Sequence, residues 1–217
     1  MKKIATLVAF ALPASRTKNR LLRLLGHRVD PTASIGPSLV IGVGEFVAGP
    51  GVVVGVGNVF RGLLRVSLAQ GATIGQLNWF STAPTFVGTT DLAATLQLEE
   101  CAAIVNRHHV DCSGGVVFEP YSIAGGMGSI LLTHHVNHLS GKLECAPIRI
   151  GDHALLNGAN RVVAGAVLPA RSLTGIGAVV LPGLREPGRL YAGVPARDVK
   201  AVEGGALFER QDARATL

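Results

Sequence analysis

Aromatic residues are scarce in this chain: seven Phe, two Tyr and one Trp, 5% of 217 residues. Charged residues are also few, at 16%. So few rings argue against an ordinary α/β enzyme core, and abundant aliphatics with 28 Gly argue against disorder. The three cysteines, Cys101, Cys112 and Cys145, are an odd count without metal-ligand spacing. They read as small buried residues in a reducing compartment. No apolar run is long enough to span a membrane, since the one at Ile4–Leu12 stops at Pro13. G-x-S-x-G, P-loop, H-E-x-x-H and C-x-x-C patterns are all missing, so nucleophilic-serine chemistry and nucleotide hydrolysis have no local support. The formal charge is +6, yet Lys/Arg blocks interleaved with aromatics are absent, and no nucleic-acid partner is expected.

What the chain does have is a period of six. Ile150, Leu156, Val162, Leu168, Thr174 and Val180 mark it, with Gly residues between. A helix would repeat at 3.6 and a simple strand at 2. Six-residue units with small corner residues predict a parallel β-helix, whose coils must stack because one alone cannot bury its core. An inward residue then meets its counterpart eighteen positions on. The expected fold class is therefore all-β, a single-stranded β-helix of hexapeptide repeats with loops and a short N-terminal helix. Its narrow interior suits few rings.

Three segments follow: an apolar arm with a basic amphipathic helix over 1–28, the β-helix over 29–185, and a tail over 186–217. Lys2-Lys3, Ile4–Leu12 and Pro13-Ala14-Ser15 have the outline of a secretion signal. The other reading is an apolar arm that packs on the domain or touches a membrane surface. Ser15–Gly26 is expected to be a helix capping the coil, with Leu21, Leu22 and Leu25 on one face and Arg16, Lys18, Arg20 and Arg23 elsewhere. Steps of six from Val29 give Ile35, Ile41, Val47, Val53 and Val59, two full coils. The segment from Arg61 to Gly71 breaks this register. The stretch from Ser81 to Thr95 reads as a loop leaving the coil, and Asn137 to Pro147 as a second. Between them the register resumes at Ile104 and Val110, slips at Gly114-Gly115, and continues at Phe118, Ala124 and Ile130. The tail from Glu203 has no pattern and is expected to fray.

Five of the seven histidines cluster beside these loops: His108 and His109, then His134, His135 and His138. A residue that titrates near neutrality, grouped where loops leave a rigid scaffold, points to a site. His27 and His153 read as solvated or corner residues.

Several stretches together resemble the hexapeptide-repeat acyltransferases, most closely the O-acetyltransferases of sugars and surface polysaccharides. They are the repeat itself, Ile130-Leu131-Leu132-Thr133-His134, Ile150-Gly151-Asp152, and Gly193-Val194-Pro195-Ala196-Arg197. The segment from Arg107 through His108, His109, Asp111 and Cys112 to Gly115 is similar to one in some of those enzymes, and the resemblance covers about 29–202. It implies a left-handed coil, acetyl-CoA as acyl donor and no metal. It also implies a sugar or glycan acceptor and a homotrimer with the CoA site between two chains. The protein is read as cytoplasmic, and the basic N-terminal helix and apolar start of the chain hint at peripheral membrane contact through the N-terminus. By the same resemblance His134 is the general base and the Gly158 amide meets the oxyanion. Backbone amides at Gly175 and Ile176 hold the pantetheine arm, and Arg197, with Lys200 as a second charge, meets the nucleotide phosphates.

The chain departs from that pattern at Asn137, where relatives often carry Asp, at Leu155 for Trp, and at Leu181-Pro182 for Thr-Lys. Asp111 or Glu119 could orient the imidazole instead, and His135 or His138 could be the base if the loop register differs. Two alternatives stand beside the transferase. One is a zinc hydratase similar to gamma-type carbonic anhydrases, with His108, His134 and His138 as ligands. The other is a non-catalytic binding module on the same fold.

Overall fold

The computed structural model describes residues 2–202 and 204–211. Three parallel sheets form the faces of a coil that the chain visits in strict rotation. The first face starts at Arg28–Val29, the second at Ser34–Ile35 and the third at Ser38–Ile41. Each later strand pairs in parallel with the strand one coil before it. The second face ends in an antiparallel hairpin, Arg189–Gly193 with Ala196–Ala201. This is the expected parallel β-helix.

The period-six reading holds fully at the C-terminal end. Ile150, Leu156, Val162, Leu168, Thr174 and Val180 are all buried. Ile150 pairs with Leu168, and Val162 with Val180, at the eighteen-residue spacing.

At the N-terminal end the register differs. Val29 pairs with Ala48 and Val40 with Phe60, so coils there take 19 or 20 residues. Ile41 and Val53 are 45% and 41% exposed, and Val47 and Val59 only half-buried. The inward residues are Val40, Phe46, Ala48, Val54 and Phe60. Arg65–Leu68, in the segment read as a break, is an ordinary strand of the first face. The wider coils hold rings, contrary to the expectation of a ring-poor interior. Phe10, Phe46, Phe60 and Phe80 form a buried column with centroids 4.9–5.5 Å apart. An extra residue per coil widens the interior enough for Phe, whereas the eighteen-residue coils close on Ile, Leu and Val.

Two helices cover the open end. The arm is helix α1 (Lys2–Ala11), with Ala9 and Phe10 fully buried. Helix α2 (Arg16–Leu24) starts at Ser15, whose hydroxyl accepts from the Lys18 amide, and buries Leu22. Lys18 is not on the outer face with the arginines. It is buried, and its ammonium donates to the carbonyls of Phe10, Leu12, Ile35 and Gly36 at 2.7–3.1 Å. The first two are carbonyls at the end of α1 that no helical amide can reach. Burial pulls the Lys18 pKa down to about 8. One cation therefore ties α1, α2 and the first coil together. Lys18→Met keeps the apolar stem but strands these carbonyls, at a cost of about 2 kcal/mol. The midpoint of thermal unfolding should fall by about 5 °C. An unchanged midpoint would show that water replaces the ammonium freely.

The tail does not fray over 204–211. Phe208 is buried, Arg171 donates to its carbonyl at 2.9 Å, and the His153 ring lies 3.1 Å from the Arg210 carbonyl. Glu203 and the final residues of that expectation lie outside the described residues.

Candidate active site

Two excursions leave the coil at the corner between the third and first faces. The first runs over 82–94 and contains one 3-10 turn, Pro84–Phe86. The second is a hairpin of His134–Val136 with Leu143–Cys145. Gly114 and Gly115 explain how both can lie against the coil. A Cβ on Gly114 would sit 2.6 Å from the Ala146 carbonyl oxygen, where the hairpin returns. At Gly115, which has φ +92°, a Cβ would collide with the Leu92 carbonyl of the first excursion. The slip in the sequence pattern is thus the point where two loops need close backbone approach.

Asp111 ends a strand of the third face and sits at the centre of the site. Its Oδ2 accepts from the Thr133 amide at 2.8 Å, the Thr133 hydroxyl at 2.6 Å and His134 Nδ1 at 2.8 Å. Its Oδ1 accepts from the Ser113 hydroxyl at 2.5 Å and the Ser113 amide at 3.2 Å. Burial alone would raise the Asp111 carboxyl. The hydrogen bonds from Ser113, Thr133 and His134 outweigh it and hold the group below the usual carboxylate range. An ionised Asp111 calls for a proton on His134 Nδ1, and in the neutral imidazole that tautomer carries its lone pair on Nε2. Ser113 Oγ also accepts from the Ala83 amide at 2.9 Å, which pins the first excursion to the same carboxylate. Phe86 lies 5.7 Å from the His134 ring.

The other histidines have different surroundings. His135 is exposed and 3.9 Å from Glu144, and His138 sits at the hairpin turn. Asn137 shapes that turn, accepting from the amides of Leu139 and Ser140 and donating to Glu144. His108 belongs to a side-chain ladder between the second and third faces. Asn58 Oδ1 accepts from the Asn78 amide, Asn78 Oδ1 from the His108 amide, and His108 Nδ1 from the Ser129 amide. Burial pulls the His108 pKa down to about 4, partly opposed by the Gly126 backbone. Among the described residues, no three His, Cys, Asp or Glu side chains gather as a metal site, so His108, His134 and His138 are not brought together. Glu119 lies elsewhere, accepting from the Asp152 amide. Of the two carboxylates considered for His134, Asp111 is the one in contact.

The residues expected to hold acetyl-CoA fall on a different edge, between the second and third faces. Gly158 and Gly175 are one coil apart, with the Gly177 amide donating to the Gly158 carbonyl at 3.1 Å. Arg197 is exposed at the start of the last strand and pairs with Ala192, which lies against Gly175. Among the described residues the Gly158 and Ile176 amides make no hydrogen bond, and Ile176 is 81% exposed. The Gly175 amide is already spent on the Tyr191 carbonyl at 2.8 Å. Of that pair, only Ile176 has an amide to offer. Within one chain, His134 and Gly158 are not together: the third face separates their edges, roughly 15–20 Å for five or six extended residues.

Sequence reasoning missed Phe86, Ser113 and the supporting role of Thr133. The Asp111-x-Ser113 spacing is a signal for the second, since a Ser hydroxyl two residues on can close back on a carboxylate. Phe86 carries no such signal.

No protein-family model and no curated protein matches the sequence. Solved structures do match in shape. One is a serine-to-alanine mutant of AntD, an N-acyltransferase from Bacillus cereus, in complex with dTDP-4-amino-4,6-dideoxyglucose and coenzyme A. The TM-score is 0.57 at 14% identity, over 72% of this chain and 84% of that one. Another is the polysialic acid O-acetyltransferase OatWY, with TM-score 0.58 and 16% identity over 82% of this chain and 87% of that one. At these identities the likeness is one of architecture, and this chain has the coiled fold of those two acyltransferases.

Proposed function

We propose that this protein transfers acetyl from acetyl-CoA to a hydroxyl of a sugar or surface polysaccharide. The observation that carries this reading is the His134–Asp111 pair, a half-buried imidazole whose Nδ1 is held by a five-times hydrogen-bonded carboxylate. A sugar hydroxyl is a poor nucleophile until a base takes its proton, and His134 Nε2 is the acceptor that this tautomer leaves. The hydroxyl oxygen bonds to the thioester carbonyl carbon, the carbon–sulfur bond breaks, and the proton on Nε2 passes to the leaving sulfur. The unspent Gly158 amide would donate to the oxyanion that develops. The open Ile176 amide fits a pantetheine arm, and Arg197 with Lys200 fits the phosphates beyond it.

The two edges meet only if a second copy sets its Gly158 edge against the His134 edge of the first. A contact between unlike edges is heterologous, and it is finite when it closes as a ring. A closed ring of this kind is compatible with the homotrimer that the resemblance to hexapeptide-repeat acyltransferases implies; the left-handed coil rests on that resemblance alone. The acceptor would enter between the 82–94 excursion and the hairpin, beside Phe86. An O-acceptor is favoured over an N-acceptor by resemblance, and a membrane-proximal glycan by the basic end of the coil.

The test is thiol release from acetyl-CoA across a panel of mono- and oligosaccharides and bacterial glycans, with the particle mass measured at assay concentration. Acceptor-dependent release from a three-chain particle is expected. Acetyl-CoA binding without turnover on any acceptor would favour the binding-module alternative. Turnover by a monomer would sink the shared site.

A further inference from the structure

The outer surface of the capping helices is unusual for a solvated end. The face of α1 turned away from the coil carries Ile4, Ala5, Val8, Ala11 and Leu12, with no polar group among them. Ile4 is 68% exposed and Val8 56%. Their four-residue spacing makes one continuous stripe. A terminal cap on a coil of stacked strands normally shows water a polar face. On α2, Lys18, Asn19 and Leu22 point inward, which leaves Arg16, Arg20 and Arg23 along the outer face beside Leu24, 85% exposed. The Arg16 and Arg20 side chains make no ion pair or hydrogen bond among the described residues, whereas Arg23 donates to the Val29 carbonyl at 3.0 Å, and the three line a cavity of about 480 Å³ beside Pro31 and Thr32. Both helices pack on the first coil, α1 on Ser38–Ile41 and α2 on Arg28–Val29, so their outer faces form one end surface. No helix among the described residues is long and apolar enough to cross a membrane.

We infer that this end surface binds an anionic lipid bilayer. The apolar stripe of α1 lies at the acyl boundary, and Arg16, Arg20 and Arg23 meet lipid phosphates. An exposed apolar strip rimmed by cations is the composition of helices that lie in a membrane interface. The charge weighs against a second copy of the chain as occupant, because end-to-end pairing would set three guanidinium groups against three more, an excess of cations that the Asp30 carboxylate beside Arg23 does not offset. The coil then stands on the membrane with its axis near the normal. His134 leaves the fifth coil, which puts it roughly 30 Å above the headgroups, at one strand spacing per coil plus one helix diameter. Resting on the transferase reading, this height selects a glycan whose acetylated unit is several sugars away from its lipid anchor.

The experiment is flotation of the full chain with vesicles of pure phosphatidylcholine or of phosphatidylcholine with phosphatidylglycerol. It needs neither acetyl-CoA nor an acceptor, so its failure leaves the transferase reading standing. Flotation is expected with the anionic vesicles only, weakening as salt is raised. Arg16→Glu/Arg20→Glu and Ile4→Asp/Val8→Asp should each lower the bound fraction at least about tenfold, since each charged residue near the surface is worth roughly fivefold. All four positions are exposed, so thermal midpoints should match the wild type. No flotation, equal flotation with neutral vesicles, or wild-type flotation by both variants would overturn the inference. So would an end-to-end dimer in solution that the same substitutions dissolve.

Discussion

His134→Ala is expected to lower kcat by about a thousandfold with acetyl-CoA affinity unchanged, because the proposed base acts on the acceptor proton and not on the donor. The residues proposed to hold the donor are on another edge of the coil, which is why the two effects should separate. The measurement is steady-state thiol release alongside titration of acetyl-CoA binding. Retained turnover would move the base to His135 or His138, although both are exposed and neither contacts a buried carboxylate. Loss of donor binding together with turnover would instead mean that the hairpin built on His134 had collapsed. His135→Ala serves as the control, since it sits on the same hairpin strand and should keep near wild-type rates.

Asp111→Asn is expected to cost about a hundredfold in kcat, with two further signatures. An amide nitrogen turned toward His134 would donate where the carboxylate accepts, leaving the proton on Nε2 and removing the lone pair that the proposed base uses. Turned the other way, the amide faces the Ser113 N–H with a second donor. Either orientation leaves a buried donor unpaired, so neutral-pH stability should drop by about 1–3 kcal/mol. The pH dependence distinguishes this from a simple packing defect. The Asp111 carboxyl is held below its unfolded value, so its contribution is fully present above about pH 5. It is lost as pH falls through the folded value. The stability gap between wild type and Asp111→Asn should therefore narrow in acid. A gap independent of pH would mean that Asp111 is not the ionised group described above.

Gly114 and Gly115 link these predictions to the fold. They admit the two excursions to one corner, and the Ser113 contact with Ala83 ties the first excursion to the carboxylate that holds His134. Both excursions and His134, the proposed base, are thereby fixed by the same few residues between strands of a stacked coil.

The sequence alone determined the class of fold, because period six is a local property. Each unit carries its own inward residue and corner, and over Ile150–Val180 nothing competes with that pattern. It also determined where the loops leave, since polar stretches cannot continue the ladder. It misplaced the register near the N-terminus for an equally physical reason. Leu39-Val40-Ile41 and Val52-Val53-Val54 are aliphatic at consecutive positions, so a step of six lands on Ile41 and Val53 as readily as on their buried neighbours. Only stacking reveals that those coils hold 19 or 20 residues, because the extra residue widens an interior that already contains Phe rings. Lys18 looked like one more outward cation on a basic helix, and only its four carbonyl partners, two of them from the first coil, turn it inward. The pairing of Asp111 with His134 was likewise decided by tertiary structure. The two are 23 residues apart and meet because one coil returns the chain to the same corner. The separation of the His134 edge from the Gly158 edge is a property of the triangular cross-section, which no single stretch of sequence encodes.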